Sequence, residues 1–328
     1  MNLYEQQAAN RRRTWMVMLA FVVFLFLLGL GFDTFFLSQV GGFVPVGSIL
    51  ALGVGSVSAL AGYLNGDRAV LLSTGAVPLP ELLPSASEAD ALKLRQLDNI
   101  VEEMAIASGL PKPPVYVVPD PDPNAFATGR GPGQSSIAVT RGLLDALDRD
   151  ELQGVIGHEM SHIRNLDVRL MTIVAALVGG VALLSDWARR GMWWGGGSRQ
   201  RDDGERGGGV AGLMMFAVWI VAIILAPILA QLLAMMVSRQ REYLADASGA
   251  ELTRNPIGLA HALEKIDAAV APTRAINQGS AHLCIADPLG RRMNLKEGLW
   301  SDAFASHPPM AARIAALRAM AFEKPVAP

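Results

Sequence analysis

The chain has 328 residues, 51% of them hydrophobic and only 18% charged, with a formal net charge of −2. That balance is too apolar for an ordinary soluble protein of this length, and a near-neutral charge excludes a global basic field for nucleic acid. The single cysteine, Cys284, excludes an internal disulfide and any Cys-rich metal cluster.

Four apolar segments account for the composition: residues 15–32, 43–64, 170–185 and 210–237. Their interiors lack Asp, Glu, Lys and Arg, and each is near the length that crosses a hydrocarbon core about 30 Å thick, the third being the shortest. Arg11, Arg12 and Arg13 precede the first segment, as basic residues precede a signal peptide. Its apolar run is too long for a typical signal core and a second span follows, so it reads as a retained anchor. The arginine cluster places the N-terminus in the cytoplasm. Two spans then return the chain there near Leu64 and two more near Val237, so residues 65–167 and 238–328 share the cytoplasmic side. Arg189, Arg190, Arg199, Arg201 and Arg206, between spans three and four, pull against that orientation. Gly47, Ala51, Gly55 and Ala59 form a small-residue stripe suited to close helix packing.

Past the second span, Leu94, Leu97, Val101, Met104 and Ala105 recur at helical spacing, and Gly109 with Pro111 ends that helix. Residues 115–118, 124–128 and 136–140 read as short strands, the last two joined by a Gly-rich turn. Asp148 and Glu151 form a capping box that opens the next helix.

That helix carries His158-Glu159-Met160-Ser161-His162. One helical turn separates the two histidines, so both rings project from one face and can meet one metal ion. Glu159 stands beside them, placed to take a proton from an activated water. The bland alternative, two histidines decorating a helix, is disfavoured because only five His occur in the chain. If the helix runs on unbroken, it leads almost directly into the third span and sets the motif close to the membrane surface. A flexible Gly- and charge-rich loop, residues 191–209, then joins spans three and four.

Two histidines leave a catalytic zinc site one protein ligand short. Glu242 and Asp246 follow the fourth span, one turn apart on one helix face. Alone they would be a solvated face. Returned beside the His helix by the span hairpin, Glu242 supplies a carboxylate ligand, and Asp246 an acceptor that fixes a ring. His261, His282 and Cys284 lie outside any ligand spacing and read as structural.

At this point the chain resembles the membrane-embedded M48 zinc metalloproteases, close to the bacterial HtpX type and more distantly the Ste24 CAAX proteases. The matching pieces are Asn124-Ala125-Phe126-Ala127-Thr128-Gly129, Ile156-Gly157-His158-Glu159-Met160-Ser161-His162, Glu242-Tyr243-Leu244-Ala245-Asp246, and Ser306-His307-Pro308-Pro309 with Arg313. The resemblance implies a multi-pass α-helical membrane protein carrying a mainly helical α+β zincin of the gluzincin type. Its parts would be a tail and span hairpin (1–64), two pieces of protease domain (65–167 and 238–328), and a second hairpin between them (168–237). It implies one Zn2+ on His158, His162 and Glu242, with Glu159 as general base and Asp246 orienting a ligand. His307 and Arg313 would approach the active site as oxyanion donors. Asn124, Ala125, Phe126 and Ala127 would belong to a strand whose edge pairs with extended substrate. The expected function is zinc endopeptidase quality control of misfolded or damaged membrane proteins in the bacterial inner membrane, with the active site facing the cytoplasm. Its partners are polypeptide substrates and the lipid bilayer. The alternatives are a Ste24-like processor of prenylated peptides, for which four spans are few, and a non-catalytic membrane scaffold with structural zinc. The scaffold is disfavoured by charge-free span interiors and by only three ligand candidates.

Overall fold

The computed structural model describes residues 3–35, 45–180, 239–269, 273–276, 280–286 and 308–322. The expected fourth span, the Gly-rich loop and His307 lie outside the described residues, as do residues 181–185 of the third span.

Two long helices open the chain, α1 (Leu3–Phe35) and α2 (Val46–Ser73). Both are long and apolar enough to cross a membrane, and both leave large apolar side chains outside, among them Leu19, Leu27, Ile49 and Val57. Small residues let them touch: Gly55 lies against Leu25 and the Val22 backbone, and Gly29 against Gly47 and Ala51. Asp33 caps the start of α2 through the backbone N–H groups of Gly47 and Ser48, both at 2.7 Å.

A four-stranded sheet follows, built from β1 (Val77–Pro78), β2 (Val115–Val118), β3 (Ala125–Gly129) and β4 (Ser135–Thr140) in the order β1-β2-β4-β3. β2 and β4 run parallel and the outer pairs antiparallel, which leaves β3 at one edge. Helix α3 (Leu79–Leu82) leads through a 3₁₀ turn to α4 (Glu88–Ser108), which Ser87 caps at its start and left-handed Gly109 ends. After the short α5 (Arg141–Ala146) comes α6 (Arg149–Arg164), the motif helix, with the Asp148–Glu151 capping box formed. The expected unbroken run into the third span does not occur. The chain turns at Asn165 and Leu166, with Leu166 left-handed at φ 60°, and a new helix, α7 (167–180), begins at Asp167. α7 packs against α1 and α2 through Leu170, Ile173, Val174 and Leu177, and Gly66 of α2 receives Thr172.

The remaining helices are α8 (Arg239–Thr253), α9 (Pro256–Asp267) and α10 (Met310–Phe322). One core joins α4, α6, α9, α10 and the inner face of the sheet through Leu97, Ile100, Ile137, Ile156, Leu263 and Leu317. α6 and α8 cross at glycine: a Cβ on Gly249 would stand 2.8 Å from the His158 backbone nitrogen, and one on Gly157 would stand 3.2 Å from the Gly249 carbonyl oxygen. Gly249→Ala must therefore push the two helices apart. It is expected to cost about 1–3 kcal/mol, the usual range for overpacking. An unchanged thermal unfolding midpoint would show that this contact yields without cost.

A buried His–His–Glu centre

Three elements converge below the edge of the sheet. α6 contributes His158, Glu159 and His162, α8 contributes Glu242 and Asp246, and α10 contributes Arg313; all six side chains are buried. The ring Nε2 atoms of His158 and His162 face each other at 3.2 Å. Glu242 Oε2 lies 3.7 Å from His158 Nε2, and Oε1 lies 3.6 Å from His162 Nε2. One donor atom from each of the three residues falls within 4.8 Å of the others, a spacing that can hold a metal ion. Two imidazoles and a carboxylate are a donor set that suits such an ion.

The far side of each ring meets a carboxylate. His158 Nδ1 lies 2.9 Å from Asp246 Oδ1, and His162 Nδ1 lies 3.3 Å from Asp167 Oδ2. These contacts turn both Nε2 atoms toward the centre, the arrangement by which ligating histidines are held in tautomer and direction. Asp246 is gripped in turn by Arg313, whose Nε and Nη2 donate at 2.8 and 2.7 Å. Arg313 Nη1 donates to the Ile285 carbonyl at 2.7 Å and lies 3.4 Å from Glu242 Oε2.

The charges are balanced tightly. Burial works to raise Asp246, but the charge and hydrogen bonds of Arg313 and the His158 ring hold it at about 2. Burial alone would lower His162; the Asp167 hydrogen bond, the Glu242 charge and the Asp167 charge outweigh it and lift the ring to about 9. His158 is pushed down by burial despite Asp246. Glu159 is carried up to about 7, chiefly by burial, with Glu242 adding to the rise while His162 and the Ala127 N–H oppose it. A pocket that draws a proton onto one histidine beside two carboxylates favours positive charge at its centre.

The edge strand borders this centre. Asn124 O accepts from Thr140 N–H, so by strand alternation the backbone groups of Ala125, Ala127 and Gly129 face away from β4. Ala125 O accepts from Ile285 N–H at 2.9 Å, and Gly129 N–H donates to Thr172 Oγ1 at 2.9 Å. The side chain of Asn124 donates to Ala286 O, and Phe126 is core. His282 packs in a short 3₁₀ turn with Nε2 3.2 Å from Met171 O, Cys284 is buried, and His261 is exposed away from the centre. Sequence spacing did not single out Asp167 or the buried Arg241, whose Nε lies 3.7 Å from Asp167 Oδ1.

One pair of helices long and apolar enough for a bilayer, and a buried His–His–Glu centre beside a sheet edge, fit a membrane-associated protease of the metallo class. The model for peptidase family M48 matches residues 91–321, and the chain belongs to that family. A protease HtpX homolog of Caldanaerobacter subterraneus subsp. tengcongensis is 43% identical over 97% of this chain and 98% of its own length. One from Streptococcus gordonii is 41% identical over 97% of this chain and its whole length. A crystal structure of Ste24p from S. mikatae aligns with 96% of this chain and 66% of that one, at 18% identity and a TM-score of 0.42.

Proposed function

We propose that the chain is a zinc-dependent endopeptidase, anchored in the bacterial inner membrane by four spans, that cuts misfolded or damaged membrane proteins at the cytoplasmic face. The observation that carries the proposal is the convergence of His158, His162 and Glu242 around one point, with Glu159 beside them. These three residues would hold the zinc; bound there, it would polarise the scissile carbonyl and make a water acidic. Glu159 takes the proton of the attacking water and returns it to the leaving amine. Asp246 and Asp167 keep the two rings aimed throughout. Arg313 serves by clamping Asp246, since the nitrogens that an oxyanion role would need already donate to Asp246 and Ile285.

Extended substrate would pair with the outward groups of β3, engaging Ala127 and displacing Ile285 from Ala125. Because the docked ends of α1 and α7 flank the centre, the chains within reach are those at the membrane surface. That proximity supports membrane proteins as the substrate class.

Chelation tests the reading. Detergent-purified protein is expected to carry one zinc per chain and to cut an unfolded membrane protein. A chelator should stop the reaction, and zinc alone should restore it. Cleavage by the metal-free chain would sink the metal assignment. Cleavage confined to prenylated peptides would overturn the substrate class.

A further inference from the structure

α6 ends at Arg164, and the last carbonyls of a helix need donors from elsewhere. The N–H groups of Asn165 and Leu166 serve the Ser161 and Ile163 carbonyls, and the head of α1, ahead of its apolar stretch, serves the carbonyls that follow. Gln7 Nε2 donates to Arg164 O at 2.8 Å, and Asn10 Nδ2 donates to Asn165 O at 2.9 Å. Asn10 Nδ2 also donates to Asp167 Oδ1 at 2.6 Å. Asn10 is 1% exposed and Asp167 0%. The other oxygen of Asp167 is the one that meets His162 Nδ1. A side chain at the start of the first membrane helix thus stands one residue away from a ring of the His–His–Glu centre.

The chain bends to make this possible. On an unbroken helix Asp167, five residues after His162, would sit about 140° around the axis from it and could not reach its ring. The left-handed Leu166 swings Asp167 back, a conformation costing a leucine on the order of 1–3 kcal/mol unless its surroundings hold it. Asn10 holds it on both sides, bonded to Asn165 before the bend and to Asp167 after it. Among the described residues, Arg241 is the other polar neighbour of Asp167 Oδ1, at 3.7 Å. It supplies charge at that distance, while Asn10 supplies direction. Without Asn10 the carboxylate is free to turn toward Arg241 and away from His162.

We propose that Asn10 is a positioning residue of the metal centre: it fixes Asp167 against His162, so that docking of the first helix completes the site. The proposal rests on His158, His162 and Glu242 being the metal ligands. It makes the N-terminal helix part of the catalytic apparatus as well as an anchor.

The test compares full-length protein in detergent with Asn10→Leu, Gln7→Leu, Asp167→Asn and the double variant Asn10→Leu/Asp167→Asn. Co2+ affinity is read by chelator competition, and the visible absorption of the bound cobalt reports ligand geometry. Asn10→Leu and Asp167→Asn are each expected to weaken binding about 10–100-fold and to shift the cobalt bands. The double variant should bind no more weakly than Asp167→Asn alone, because Asn10 acts through Asp167. Gln7→Leu removes a bond from the same helix to α6 without touching Asp167, and should keep the parent affinity. Asn10→Leu with the parent's affinity and spectrum would overturn the proposal. So would losses that add in the double variant, or an equal loss in Gln7→Leu; either would make Asn10 a plain docking contact. If Asn10→Leu does not fold, Asn10→Ser takes its place in every comparison. A parent chain that binds no cobalt would remove the ligand assignment itself, an outcome distinct from variants that match a metal-binding parent.

Discussion

Glu159→Gln is expected to keep its metal and lose peptide hydrolysis by about 10²–10⁴-fold, the contribution typical of a positioned general base. The substitution preserves shape, so α6 and the sheet edge should pack as before. Glu159 is not one of the three residues whose donor atoms converge, so zinc content should stay at one per chain. What the amide cannot do is accept a proton. Burial already makes this carboxyl an unusually willing acceptor, lifting it to about 7 in the metal-free site. Glutamine removes that basicity without removing the cavity. Zinc assays and cleavage of one unfolded membrane-protein substrate, run in parallel on both proteins, decide the matter. Zinc in both with cleavage only in the parent supports the assignment; turnover retained by the variant would falsify it. Zinc in both without cleavage in either would point to a structural metal or to a different substrate class.

The sequence made part of this centre readable and hid the rest for a physical reason. Where a feature depends on local spacing, the residues announce it. The Asp148–Glu151 capping box and the Gly109 stop mark helix ends, and both lie where the residues place them. The i, i+4 spacing of His158 and His162 likewise puts two rings on one face. The β-branched and aromatic run at residues 115–118 forms a strand as its residue types predict, and so does the run that ends at Thr140. Features set by distant chain segments gave no such signal. Asp167 belongs to the centre only because Leu166 turns left-handed, and neither glycine nor proline marks that bend. Asn10 reads as one more polar residue before a span until α1 is docked against α6. Arg313 sits in a motif that suggests an oxyanion donor, yet its guanidinium is committed to Asp246, 67 positions earlier in the chain. A bidentate pair across two helices leaves no spacing to find.

That pair underlies the second large effect: Arg313→Met is expected to destabilise the protein by about 3–5 kcal/mol, the cost of leaving a buried charge unpaired. The side chain is wholly buried, and its loss strands Asp246 with Glu242 close by and no guanidinium between them. Methionine fills the volume, so the deficit would report the charge rather than a cavity. The pH dependence gives the sign. In the parent, Asp246 is held at about 2, so its stabilising contribution is fully present above its ordinary value of 3.8 and is lost as pH falls through about 2. Without the guanidinium the Asp246 carboxyl rises, because burial then dominates. The gap between parent and variant should therefore be widest near neutral pH and narrow as pH drops toward 4, where the variant's Asp246 takes a proton. Denaturant unfolding of the metal-free proteins at several pH values measures both features. A variant that unfolds with the parent at every pH would mean that Asp246 needs no cation. Asp246 would then hold His158 without help from α10, and the Arg313 contact would carry no net energy.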